Sequence, residues 1–296
     1  MPRVRLDFLI LSIGFTCAFC VVFLSLTPFR NEPAPVAIHR SSDVAITAFN
    51  YFNTGEFERG IRLFDTMLAV DPDNIEALRM RAHTFRYFGK YQEAESLLLR
   101  AAEADPSDVV TFIELGKLYR NMSRYDDSEK ALLHAVELKP DYGDIYDYGL
   151  GYLYIETGDL KKAEEAITRA LKLRGEHHFT YNAFGDLYRM QGENRKAEDA
   201  FLHSIALDAR SEAYIGLGFL YLNEDRFEDA INAFKRYLNN VRPKSEVYTG
   251  LGYAYLNNGE LENARTAFLD ALSLQSDLES AKNGLAQVEI LLSSTE

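Results

Sequence analysis

The chain has no tryptophan and only two cysteines among its 296 residues. Both cysteines, Cys17 and Cys20, lie inside one apolar run near the amino terminus. No disulfide framework is therefore available to the rest, and cysteine usage does not identify a redox compartment. Histidine is scarce too. The one adjacent pair, His177–His178, has no cysteine or spaced histidine to complete a metal-ligand set, and it reads as part of a turn after Gly175. Basic residues are in deficit, 32 Lys and Arg against 45 Asp and Glu, for a net charge of −13. Residues 1–40 hold Arg3, Arg5, Arg30 and Arg40 against Asp7 and Glu32, so the remainder is more acidic still. Such a surface repels phosphate backbones, and no nucleic-acid partner is expected. Gly149/Gly151, Gly216/Gly218 and Gly250/Gly252 lack the third glycine and the preceding strand of a phosphate loop. Asn121-Met122-Ser123 is a glycosylation sequon by spelling only. No carboxylate pair stands out, so neither catalysis nor a cofactor or metal site is expected.

What is present is a period. The small residues Ala82, Gly116, Gly151, Gly185, Gly218 and Gly252 follow one another at steps of 34, 35, 34, 33 and 34. Ala94, Ser128, Ala163, Ala197, Ala230 and Ala264 keep pace. A repeat of this length signals stacked supersecondary units, none of which buries both its faces alone.

Residues 109–142 illustrate one unit. Phe112, Leu115, Gly116 and Tyr119 recur at helical spacing, as do Ser128, Leu132 and Ala135. Asn121-Met122-Ser123-Arg124 makes a short polar break between them, and Lys139-Pro140-Asp141 ends the second helix, since proline expels its predecessor from the α region. Gly116 and Ser128 are small where the two helices cross, and Tyr119 and Leu132 fill the space between hairpins.

This layout resembles the tetratricopeptide repeat, whose signature runs W-x2-L-G-x2-Y, then A-x3-F, then P. Residues 75–108 carry Leu78, Ala82, Phe85, Gly89, Tyr91, Ala94, Leu98, Ala101 and Pro106; residues 245–278 carry Tyr248, Leu251, Gly252, Tyr255, Gly259, Ala264, Phe268 and Ala271. The resemblance implies an all-α superhelical solenoid. About seven units occupy residues 41–278, starting near Ser41, Ile75, Val109, Asp144, His178, Ser211 and Ser245. A capping helix and tail follow in 279–296, with Leu285, Val288 and Leu292 on one side. There are departures. Tyr or Phe often stands for the signature tryptophan. The first unit has Thr47, Ala48 and Gly60 where Leu, Gly and Ala are usual. The fourth has Asp147 at the first aromatic position and Gly175 in place of proline. Its extra residue, near Tyr142–Gly143, either changes the superhelical pitch around 142–147 or is absorbed by the turn.

Ahead of the repeats, after a flank of residues 1–7, Phe8 to Leu26 is a run of 19 residues without charge. At about 1.5 Å per helical residue it reaches a bilayer's hydrocarbon thickness. A cleaved signal peptide is the rival reading, with a poor junction where Pro28 follows Ser25-Leu26-Thr27. Residues 27–40, with Pro28, Pro33 and Pro35, read as an extended linker. Arg3 and Arg5 before the run favour a cytoplasmic amino terminus and an exported repeat domain, on the periplasmic face of the inner membrane in a bacterium.

The resemblance further implies that the first helices line a concave groove. The candidate partner-binding residues are Arg79, His83, Arg86, Lys117, Arg120, Tyr148, Tyr152, Arg189, Phe219 and Tyr253. The early part is expected to be positive and the later part aromatic, with Gly149, Gly216 and Gly250 leaving room beside the rings. Tyr, Phe and Arg are interface-anchoring types. The family's clamp for a chaperone's terminal carboxylate is not matched, because Glu114 stands where asparagine is needed. The expected function is a membrane-anchored scaffold that binds partner proteins or peptides, in envelope protein assembly. The alternatives are a cytosol-facing tether or import-type receptor, and a regulatory subunit of a membrane enzyme.

Overall fold

The computed structural model describes Thr47, Tyr51 and residues 57–241 and 243–294. The proposed anchor Phe8–Leu26, the linker 27–40 and most of the first unit's first helix lie outside the described residues. Among those described, no helix is long and apolar enough to cross a membrane. Residues 39–296 form a compact unit of their own.

The described residues fold into fourteen α-helices and no strand. Helix α1 (Phe57–Val70) is the second helix of the first unit. Pairs follow: α2 (Ile75–Tyr87) with α3 (Tyr91–Ala104), and α4 (Val109–Asn121) with α5 (Tyr125–Leu138). The fourth unit pairs a composite first helix, ending in α6 (Tyr152–Thr157), with α7 (Leu160–Arg174). Then come α8 (His178–Met190) with α9 (Asn194–Leu207), α10 (Ala213–Asn223) with α11 (Phe227–Asn240), and α12 (Ser245–Asn257) with α13 (Leu261–Leu274). The last helix, α14 (Glu279–Ser293), buries Val288 and lays Leu285 and Leu292 against the final core, as the amphipathic pattern predicts.

Local chemistry sets the boundaries. Asn74, Asp108 and Asp159 cap helix starts, accepting from the backbone N–H three residues on, at 3.0, 3.1 and 3.2 Å. Each turn inside a hairpin needs one left-handed residue: Gly89, Ser123, Gly158, Gly192, Asp225 and Gly259, the same steps as the small-residue series. The next backbone N–H then reaches back across the helix end, as Arg124 N does to Tyr119 O at 2.8 Å and Arg226 N to Tyr221 O at 2.9 Å. Ser123 and Asp225 adopt this conformation without being glycine.

Between hairpins, a buried side chain of each later second helix wedges into two glycines. A Cβ on Gly185 or on Gly216 would lie 2.4 Å from the Phe201 ring, from opposite sides. Phe234 sits likewise between Gly218 and Gly250, and Phe268 between Gly252 and Gly284. Leu132 does the same between Gly116 and Gly149. Gly149, Gly216 and Gly250 are therefore sockets for the preceding hairpin, and do not open space in the groove as the sequence reading supposed. The reason is axial distance: only glycine lets a first helix approach the second helices of both neighbouring hairpins. On the outer face, polar straps join the hairpins. Tyr154 donates to Glu129 at 2.8 Å and Tyr221 to Glu198 at 2.6 Å, with Lys162 and Arg226 over the respective rings.

Of the two alternatives for the fourth unit, absorption by the turn does not occur: its extra residue is taken up within the first helix. A 3-10 turn at Gly143–Ile145 leads into a π-helical stretch at Tyr146–Gly151, and α6 continues from there. One added residue per turn is what an i→i+5 ladder accommodates. Tyr146, buried, takes the first aromatic position and donates to Pro140 O at 2.8 Å. Asp147, displaced inward, is completely buried. It accepts from Thr180 Oγ1 at 2.6 Å and from Tyr148 N at 2.7 Å, and it pairs with Arg174, which also holds Asp144. Burial still pushes the Asp147 carboxyl above its ordinary range, against the pull of Thr180 and Arg174.

Candidate binding groove

The first helices stand side by side and pass side-chain contacts from unit to unit. Arg79 meets Asp108 at 3.5 Å, at the cap of the next first helix, and Arg86 meets Glu114 at 3.5 Å. Lys117 Nζ lies 2.9 Å from Glu114 and 4.1 Å from the centre of the Tyr148 ring. Arg120 Nε is 3.2 Å from Glu156, its Nη1 donates to Tyr148 O at 3.3 Å, and its guanidinium stands 5.3 Å over Tyr152. Farther on, Asn182 donates to the Tyr152 hydroxyl at 2.6 Å, Tyr152 donates to Asp186 at 3.4 Å, and Arg189 pairs with Asp186 at 3.2 Å.

This wall curls inward. A cleft of about 750 Å³ is lined from one side by Arg86, Tyr87 and Phe88 and from the other by Lys244, Glu246 and Gln275. Residues more than 150 positions apart thus face each other, and the first-helix side is the concave one.

The early wall, expected to be positive, is an array of ion pairs in which four cations share three carboxylates. Arg79, Arg86, Lys117 and Arg120 each have a carboxylate, because Asp108, Glu114 and Glu156 recur one unit or one turn away. Glu114 serves two cations. Burial alone would raise its carboxyl, but Lys117 and Arg86 overrule burial and hold it at about 2. Burial pulls the Lys117 ammonium down despite Glu114. All three arginines leave Nε without a hydrogen-bond partner. His83 contributes to the field at Glu114 from the neighbouring helix.

The candidate residues do not all do one thing. Tyr148 and Tyr152 face the wall's polar network, with ring centres 6.0 Å apart, and Tyr148 lies 5.0 Å from Phe179. Phe219 and Tyr253 are half-buried and pack edge-on against Phe234 and Phe268, at 5.2 and 5.1 Å; Tyr253 also donates to Ser280 O at 2.8 Å. They belong to the seams between hairpins. Asn182, Asp186 and Glu212 stand at repeat positions that face the groove, so the period itself places them on the wall. Lys244 precedes its unit, and only folding brings its Nζ to 2.6 Å from Glu212. His177 caps α8, accepting from Phe179 N at 3.3 Å, and His178 is the first residue of that helix, so the pair straddles the turn and the helix start.

Three segments, residues 50–109, 113–177 and 215–281, match the family model described as tetratricopeptide repeat. Residues 178–214 fall between the matched segments and still hold the α8–α9 hairpin. A curated relative from Arabidopsis thaliana, the protein CTR9 homolog, is 33% identical over 89 residues, which is 30% of this chain. The chain spans only 8% of that relative's length. A tetratricopeptide repeat protein from Parabacteroides merdae superposes with a TM-score of 0.61 at 18% identity, covering 84% of this chain and 98% of that one. The APC/C hetero-tetramer Cut9–Hcn1 gives a TM-score of 0.65 at 16% identity, over 86% of this chain and 50% of the other. At these identities the structural likeness is one of fold.

Proposed function

The chain belongs to the tetratricopeptide repeat family, a scaffold for protein–protein contact, and from that premise we propose that its concave wall holds an extended segment of a partner protein at a membrane, without catalysis. The observation that carries the reading is the wall itself: arginines paired with carboxylates beside Tyr148 and Tyr152, on a superhelix that curls until its second and seventh units share a cleft. Arginine and tyrosine are among the residues that most often carry the binding energy of protein interfaces. The early wall, where Glu114 is outnumbered by Arg86 and Lys117, receives acidic groups of the segment. The uncharged run Phe8–Leu26 supports anchorage, and Arg3 and Arg5 support an exported domain serving envelope protein assembly.

Random twelve-residue peptides displayed on phage and selected on the full chain test the groove. Enriched peptides should lose binding when Arg86 and Arg120 are both changed to Gln in a chain that keeps its helical circular dichroism. Recovery of no peptide, or binding indifferent to both changes, refutes the groove. Alkaline phosphatase fused after Glu296 should be active in a bacterial host; fluorescence of a cytosol-only reporter there would reverse the orientation.

A further inference from the structure

Midway along the wall, where α8 follows the composite helix, the unused hydrogen-bonding capacity changes character. Asn182 is only 8% exposed. Its Nδ2 donates to Tyr152, but its Oδ1 has no partner. Leaving a buried acceptor idle costs roughly 1–3 kcal/mol, so such an atom calls for a ligand. One helical turn on, Asp186 takes a single long hydroxyl contact from Tyr152 on Oδ2 and a single Arg189 contact on Oδ1. An ionised carboxylate offers about four acceptor sites, so half of them are open.

The charge on the Asp186 side is negative. Burial foremost pushes up the Asp186 carboxyl and the Tyr148 and Tyr152 hydroxyls, and Glu212, just ahead of α10, adds to each, while Arg120 on the earlier side pulls both hydroxyls down. Lys244 lies 2.6 Å from Glu212 and 3.8 Å from Glu246, so two carboxylates share one ammonium. Arg189 is the cation paired with Asp186. Its side chain is 31% exposed against 19% for Asp186, so it is the partner free to swing aside. Tyr148, Tyr152 and Phe179 supply ring surfaces around these acceptors.

The geometry points to a subsite for one basic side chain of the bound segment, a lysine or arginine, received by Asp186 and Asn182 Oδ1 beside the rings of Tyr148, Tyr152 and Phe179. The inference rests on the groove reading above and adds its chemistry: an acidic group over units two and three, then a basic one over unit five. An ammonium or guanidinium brings only donors, which is what an acceptor-only cluster can satisfy. An acidic side chain here would face Asp186 and the field of Glu212.

The test uses the peptides recovered by phage selection, with affinities read by fluorescence polarisation on the full chain. Recovered sequences should carry Lys or Arg at a fixed position. Asp186→Asn should weaken them tenfold or more, and norleucine in place of the peptide's basic residue should weaken them by the same factor. The two changes together should do no more than either alone. Asn182→Asp, which adds acceptor charge, should tighten binding several-fold, and it reads the subsite even if Asp186→Asn fails to fold. Peptides that need Arg86 and Arg120 but show no basic preference and ignore both Asp186→Asn and Asn182→Asp overturn the subsite and leave the groove standing. Peptides indifferent to all wall changes overturn the groove, and the subsite with it.

Discussion

Units two to four and units six and seven share one period but hold their neighbours differently. In the earlier stretch, first helices are strapped across the groove by ion pairs such as Arg86–Glu114 and Arg120–Glu156, and the wedge into the next hairpin is Leu132. In the later stretch one charged strap, Lys244–Glu212, is joined by rings in glycine sockets: Phe234 between Gly218 and Gly250, Phe268 between Gly252 and Gly284. The later solution leaves each ring close-packed against two glycines. The earlier one leaves polar groups on the wall that a ligand can engage.

The comparison is broken most severely in unit four, where a buried charge takes the place of an apolar contact. Arg174→Ala strands Asp147 without its cation and should destabilise the chain by about 3–5 kcal/mol, read as a lowered urea midpoint. A drop within about 1 kcal/mol would show that Asp147 simply takes up a proton. The second test contrasts two equivalent glycines. Gly216→Ala puts a Cβ 2.4 Å from Phe201, which Gly185 already clamps, and should cost roughly 3 kcal/mol. Gly149→Ala meets the Leu132 Cδ2 end at 2.6 Å, which can turn away, and should cost about 1 kcal/mol. Equal costs in thermal melts would erase the distinction between ring and aliphatic wedges. The smallest effect is a gain. Ser123→Gly relieves a left-handed serine and should stabilise by about 0.5 kcal/mol, while Asp225→Gly should gain less, because aspartate tolerates that conformation better.

Much of this was legible beforehand. The step of 35 between Gly116 and Gly151 announced an extra residue. It could not say that the residue would enter a helix, because a π-turn and a longer loop leave the same count. Once the register shifts between Tyr146 and Gly151, Tyr146 claims the aromatic slot and Asp147 is carried into the core. Likewise Gly216 and Gly250 sit at groove-facing positions in the repeat, yet they serve packing, since the wedge from the previous unit reaches them first. Arg79, Arg86, Lys117 and Arg120 were identifiable as wall residues. Their carboxylate partners, 28 to 36 positions away or on the same helix, were not assigned to them, because pairing across units depends on superhelical rise as well as period.

Periodicity and turn chemistry alone specified the helices, their order and the stacked architecture, because those depend on contacts within a unit and its nearest neighbours. The π-helical register, the ion pairing of the early wall, the inward cleft and the acceptor cluster at Asn182 and Asp186 were decided by tertiary structure. Each depends on where side chains from different units meet in space, and the 34-residue period repeats positions without fixing those distances.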